Sequence, residues 1–268
     1  MAIGHMRNET GLLSYKSDVY SQNGEDGIIA RIFSVLGTSF GLCCEFGAWD
    51  GEHLSNTRRL IVDQSWRGIF IEADPERYRV LCRKYQANDR VTSICRCVDY
   101  ETNTLGAILR DHREDGELDF LSVDIDGLDY EIFQGLDMRP KVICIEVNAG
   151  HSPTSTRVIS RQVAARNVGQ PLPYFCKIAS DKGYRLVAYT GNAFFIRNDV
   201  DSDRVLPTLS AEEAYCEFLA HLSTRVKKWY VLANAGKVPP FYQFGNPLLS
   251  GDALEYSAIG RHLLRLSA

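Results

Sequence analysis

Short, uninterrupted apolar runs alternate along this chain with stretches whose apolar residues recur at helical spacing. After an irregular start over 7–20, the polar segment Tyr20-Ser-Gln-Asn-Gly-Glu-Asp26 leads into a helix. Ile28, Ile29, Ile32, Phe33 and Leu36 share one stripe of it, and Gly37 closes it. Residues 21–26 read as a polar helix start whose acids the helix dipole favours. Five apolar runs follow, read as strands over 42–46, 67–71, 91–98, 118–123 and 141–147. Helical patterns over 54–64, from Pro75, over 104–111 and over 130–136 separate them, and Asp74 is the N-cap before Pro75. Continuous apolar strands alternating with helices specify a parallel sheet covered on both faces.

Beyond the fifth strand the rhythm changes. Residues 154–169 are polar with scattered apolar positions, a helix or a mobile lid. A helix over 174–181 ends at Gly183, and YRLVAY, a Thr-Gly-Asn turn and AFFIR read as a β-hairpin. Five strand–helix units, a helix and a hairpin make seven strands. Ser210-Ala-Glu-Glu213 is a capping box, followed by a stripe of Ala214, Tyr215, Phe218, Leu219 and Leu222. An aromatic, proline-rich connection over 239–244 and a helix over 253–266 complete the chain. The expected division is an expression scar over 1–6, a sheet domain over 7–199 and a helical extension over 200–268, which packs on the sheet domain or on a second subunit as a homodimer contact.

The loop after the first strand organises the rest. EFGAWDG puts Glu45, Gly47, Asp50 and Gly51 at the carboxyl end of a buried strand, where open α/β sheets bind ligands. Every other parallel strand also delivers acids to that edge: Glu72 and Asp74, Asp99, Asp124 and Asp126, and Glu146 with Asn148. The loop lacks the G-x-G-x-x-G that brings a helix N-terminus onto pyrophosphate, and Asp50 would repel an anion. This disfavours NAD. S-adenosylmethionine carries ribose, adenine and a cationic sulfonium but no phosphate. Glu72, one strand on, suits ribose hydroxyls, and Asp99 suits an adenine amine.

Composition narrows the classes further. At 268 residues, 45% hydrophobic and 24% charged, the chain is an ordinary globular one. A net charge of −4 gives no footprint for a nucleic acid. No apolar run reaches the roughly 18 residues that span a bilayer, and MAIGHM has no h-region, so a cytoplasmic protein is expected. The eight cysteines sit mostly in apolar runs, and Cys95 and Cys97 do not form a C-x₂-C pair, so buried reduced thiols are expected rather than a zinc site.

The segments YSQNGED, EFGAWDGEHLSNT, WRGIFIEADP, SVDIDGLDYEIFQGL and GYRLVAYTGNAFFIR together resemble the FkbM-like branch of class I S-adenosylmethionine-dependent methyltransferases, from about Tyr20 to Arg197. The resemblance implies a Rossmann-like, seven-stranded, mostly parallel sheet with an antiparallel last strand and helices on both faces. It also implies methyl transfer to a hydroxyl of a small acceptor such as a sugar, nucleotide sugar or natural product. By motif, Glu45, Gly47 and Asn56 would line the methionine side, Glu72 the ribose and Asp99 the adenine, with Asp124 near the methyl group. Gln22 would close over the cofactor. Members read D-x-E-G after the fourth strand; this chain reads Asp124-Ile-Asp126-Gly127. The tail beyond Asp199 is not covered.

Two additions concern the acceptor. Asp124, Asp126, Glu146 and Asn148 offer hard oxygen ligands at the ends of neighbouring strands, suited to Mg²⁺ or Ca²⁺, as in catechol-type O-methyltransferases; helix capping and cofactor contact are the other use of these acids. His151, after the fifth strand, has the pKa range of a general base, and with Asp126 it is the expected catalytic pair. His53, in the glycine loop, could meet cofactor or substrate. An NAD-dependent oxidoreductase and a non-catalytic binding or assembly module remain as alternatives.

Overall fold

The computed structural model describes residues 11–112, 114, 116–125, 127–155, 158–160 and 169–223. Its centre is a seven-stranded sheet in the order β3-β2-β1-β4-β5-β7-β6. The strands are β1 (Leu42–Phe46), β2 (Arg67–Glu72), β3 (Val91–Cys95), β4 (Phe120–Val123), β5 (Val142–Glu146), β6 (Tyr184–Tyr189) and β7 (Asn192–Arg197). β1 to β5 pair in parallel, while β7 runs antiparallel to both β5 and β6. This is the mostly parallel sheet with an antiparallel last strand that the sequence and the resemblance predict.

Alternation along the strands divides the core into two layers. Cys44, Phe46, Ile69, Leu121 and Ile143 face α4 (Leu105–Asp111), α5 (Asp129–Gly135), α6 (Leu172–Asp181) and α7 (Ala211–His221). Cys43, Phe70, Phe120, Val142 and Phe194 face α1 (Glu25–Leu36), α2 (Arg58–Val62) and α3 (Pro75–Tyr85). Both faces are covered by packed helices, which is why the strands read as unbroken apolar runs.

Boundaries differ from the sequence reading for local reasons. The helix expected over 54–64 is reduced to Arg58–Val62: Leu54 has a left-handed φ of 57°, and Ser55–Thr57 form a turn around a buried acid. β3 stops at Cys95 because its neighbour β2 stops at Glu72, and Glu72 pairs with Cys95. The capping box of α7 forms as expected, Ser210 and Glu213 each bonding the other's backbone. Ala214, Tyr215 and Phe218 bury against the sheet layer, and a buried Arg185–Asp201 ion pair fastens the start of the extension to β6. The described part of the extension therefore packs on the sheet domain. In the 154–169 stretch, residues 154–155, 158–160 and 169 are non-helical, and the rest lies outside the described residues, as do the 1–6 segment and the expected 253–266 helix.

Candidate active site

β1 leads outward to β2 and β3 on one side, while β4 and β5 lie on the other, so the strand order reverses between β1 and β4. In open α/β sheets that reversal opens a crevice at the carboxyl edge. Here the two chain segments leaving it nearly touch. Gly47 has φ +75°, and a Cβ built on it would lie 1.9 Å from the Asp124 carbonyl oxygen. No other residue fits at 47, because the obstacle is backbone and the conformation is left-handed. Gly47 and Asp124, expected at the methionine side and near the methyl group, are thus brought together at the mouth of the crevice.

Glu72 fixes the next part of the rim. It is 5% exposed, and one carboxylate oxygen accepts the Trp49 N–H at 2.7 Å while the other accepts the Asp74 N–H at 2.7 Å. A single side chain thereby ties the loop after β1 to the end of β2. A carboxylate has about four acceptor positions, so hydroxyl donors can still be received. Asp74 does what its position predicts, capping α3 by accepting from Glu76 and Arg77. Lys84 donates to both Asp50 and Glu52, and Asp50 accepts the His53 and Glu52 N–H groups. Against the upward pull of desolvation, these bonds bring Asp50 down to about 2. The acid that would repel an anion is thus ionised and neutralised by its own lysine.

Glu45 points inward. Ser55 and Thr57 hydroxyls donate to it at 2.5 and 2.7 Å and the Asn56 N–H at 3.0 Å. Desolvation raises its pKa despite these donors. Asn56 in turn donates to Ser122 Oγ on β4 at 3.1 Å. Glu45 and Asn56 therefore form a buried chain from β1 to β4 beneath the crevice, and their carboxylate and amide position the 55–57 turn. Asp99 is also occupied: Glu101, Thr102 and Asn103 N–H groups and the Thr102 and Asn103 side chains all donate to it. Burial opposes, but these bonds hold it well below the usual carboxylate range. Its acceptor capacity is committed to its own turn at the end of β3.

The polar segment before α1 is built quite differently from a solvated helix start. Asp26 accepts backbone N–H groups of Val19, Tyr20 and Ser21 at 2.9, 2.7 and 2.9 Å. Glu25 is wholly buried; it accepts the Asn23 N–H at 2.7 Å, Thr190 Oγ1 at 2.8 Å and Asn192 Nδ2 at 3.3 Å. Burial raises its pKa. Asn192 is the register partner of Glu146, so Glu25 pins the segment carrying Gln22 to the carboxyl edge beside β5. Gln22 Oε1 is itself buried, with no hydrogen-bond partner among the described residues.

At the carboxyl end of β5, Glu146 closes the strand, and Asn148 accepts the Gly150 N–H at 3.0 Å while its own N–H bonds the Gln170 carbonyl. His151 follows in the same loop, its N–H 3.5 Å from the Asn148 carbonyl. Asp126, expected as catalytic and as a metal-side acid, lies outside the described residues. Its neighbourhood is held by Asp129, which accepts the Ile125 and Gly127 N–H groups at 3.0 and 2.9 Å. Among the described residues no three His, Cys, Asp or Glu side chains form a metal-binding group. Asp124, Glu146 and Asn148, the expected cation ligands, stand at the ends of the neighbouring strands β4 and β5.

Sequence reasoning passed over Glu25 and Asp26 as dipole-favoured acids, and Asp129 altogether. The signal for Asp129 was the spacing Asp124-x-Asp-Gly-x-Asp129; the partners of Glu25 lie too far along the chain for any spacing to show them.

A family model described as Methyltransferase FkbM domain matches residues 94–186. The match runs from β3 into β6 and includes Asp99, Asp124 to Asp129 and Glu146 to His151; the β1–β2 side of the rim lies before it. No curated protein matches the sequence. Solved structures similar to the chain include an assigned caffeoyl-CoA O-methyltransferase from Staphylococcus aureus, at 14% identity and TM-score 0.43, covering 63% of this chain and 81% of that one. A TehB-like S-adenosylmethionine-dependent methyltransferase from Corynebacterium glutamicum matches at 13% and 0.39, covering 69% and 89%. The geranyl diphosphate C-methyltransferase from Streptomyces coelicolor matches at 13% and 0.41, covering 84% of each chain.

Proposed function

We propose, for a chain that carries an FkbM methyltransferase domain and is an S-adenosylmethionine-dependent methyltransferase, that it transfers the methyl group to a hydroxyl of a small acceptor such as a sugar, nucleotide sugar or natural product. The observation that carries the placement of the site is the contact of Gly47 with the Asp124 carbonyl at the strand-order reversal. Methyltransferase chemistry replaces the oxidoreductase and non-catalytic alternatives.

The residues present fit the cofactor. The Gly47 loop exposes backbone at the crevice, Glu72 offers acceptors for the ribose hydroxyls, and the Glu45–Asn56–Ser122 chain holds the floor of the methionine side. When bound, the cofactor supplies an electrophilic methyl group on a sulfonium. The protein aligns the acceptor oxygen with that methyl, the main source of rate in a displacement of this kind. His151, after β5, takes the hydroxyl proton as the acceptor oxygen attacks the methyl carbon, and Asp126 is its partner in the proposed catalytic pair. Gln22, held by the Glu25 anchor, closes the cofactor side. No step is routed through Mg²⁺; a requirement for it is read by loss of activity in EDTA and its return with Mg²⁺. The described start of the extension packs on the sheet domain, and a homodimer through the extension is part of the proposal, read by the mass of the protein in solution.

The test is methyl transfer from labelled S-adenosylmethionine to a panel of hydroxylated sugars and small natural products. Label in an ether product, abolished by His151→Ala while cofactor binding persists, supports the proposal. Label appearing only on nitrogen or carbon contradicts it.

A further inference from the structure

Trp49 is the conformational outlier of the site. Its φ is +50°, a region in which bulky side chains are rare. Such conformations persist where the surroundings enforce them, and they cluster at ligand sites. Two anchors enforce this one: the Trp49 N–H is held by Glu72 at 2.7 Å, and Gly51 N–H bonds the Ala48 carbonyl at 2.8 Å, closing the turn around it.

The strain presents an aromatic plane outward. Residue Trp49 is 44% exposed, whereas Trp66 is completely buried, so burial of this tryptophan is not what the turn achieves. Arg77, from the first turn of α3, sets its guanidinium carbon 4.4 Å from the indole centroid. His53 meets the indole edge-on at 4.9 Å. The indole thus carries the guanidinium of the exposed Arg77 over one face, while its backbone N–H is held by the β2 acid. An exposed cation–π pair is a weak contact, and a base stacked on an aromatic side chain is a stronger one. A purine reaching this face displaces the guanidinium.

We propose that Trp49 is the stacking platform for the adenine ring of the cofactor, with Arg77 as the stand-in on its face in the unliganded protein. The inference rests on the methyltransferase reading and deepens it. It assigns adenine recognition to the loop after β1, where the committed carboxylate of Asp99 does not supply it.

Calorimetry with S-adenosylhomocysteine and with 5′-methylthioadenosine tests this on the full chain. The two ligands share adenosine, and only the first carries the amino acid. The informative variant is Trp49→Gly, since glycine adopts φ +50° without strain and the turn keeps its shape. Trp49→Gly is expected to weaken both ligands by the same factor, on the order of ten- to a hundred-fold, without lowering the melting temperature of the unliganded protein. Trp49→Phe is expected to stay within a few-fold of wild type. Unchanged binding in Trp49→Gly, or a loss confined to S-adenosylhomocysteine, overturns the platform while leaving the cofactor assignment standing. Failure of the wild-type protein to bind either ligand overturns the cofactor assignment, and the platform with it.

Discussion

Replacing Gly47 by alanine should be among the most damaging single-methyl changes available to this fold. Two costs combine. An alanine held at φ +75° bears the left-handed penalty of about 1–2 kcal/mol. Its methyl would also sit 1.9 Å from the Asp124 carbonyl, so the end of β4 or the loop after β1 must move, at about 1–3 kcal/mol for overpacking. The expected loss is about 2–5 kcal/mol, a large part of the 5–15 kcal/mol typical of a domain. Gly37 supplies the control: it has a similar φ of +66° but nothing within 4 Å of an added methyl. Gly37→Ala should therefore cost only the conformational part, about 1–2 kcal/mol. Urea unfolding followed by circular dichroism measures both. Equal destabilisation of the two variants would refute the claim that β1 and β4 approach at backbone distance, and with it the placement of the crevice.

Glu72→Ala removes the acceptor that joins the β1 loop to β2 and should weaken S-adenosylhomocysteine by about 1–3 kcal/mol; an unchanged Kd would remove Glu72 from the ribose. His151→Ala should lower kcat by about 10²–10⁴-fold with the cofactor Kd intact, and a loss of cofactor affinity instead would make it a binding residue. Glu25 is a buried carboxyl whose pKa burial raises above its ordinary 4.5. The folded state therefore holds that proton more tightly, so this contribution to stability is present below pH 4.5 and declines as pH rises through the folded value. Glu25→Gln keeps the Thr190 and Asn192 bonds, loses the Asn23 acceptor and cannot ionise. Chemical denaturation across pH 4–8 should show a shallower decline for this variant, and a parallel one would mean that Glu25 does not titrate in the window.

The strand–helix alternation was legible because each parallel strand is buried on both faces, so LCCEF, GIFI and VICI are unbroken apolar runs. The α7 capping box was legible because its two bonds connect residues three apart. Gly47 was singled out as a close-approach glycine, and the partner it approaches is a backbone 77 positions further on, invisible until β1 and β4 pair. Glu25 reads as a dipole-favoured acid of a helix start because Thr190 is 165 residues away. Asp99 read as a free strand-end acid, although the Asn103 that follows it was in plain view; local turns compete for such carboxylates. The 54–64 helix was overestimated because Ser55, Asn56 and Thr57 turn inward to Glu45, a tertiary demand stronger than local preference.

One titration decides whether the crevice at the β1–β4 reversal binds the cofactor. S-adenosylhomocysteine added to the purified wild-type chain in a calorimeter should give saturable, one-to-one heat with a micromolar Kd, and NADH should give none. Heat from NADH, or none from S-adenosylhomocysteine, would contradict the assignment of the β1–β4 crevice to a sulfonium nucleoside.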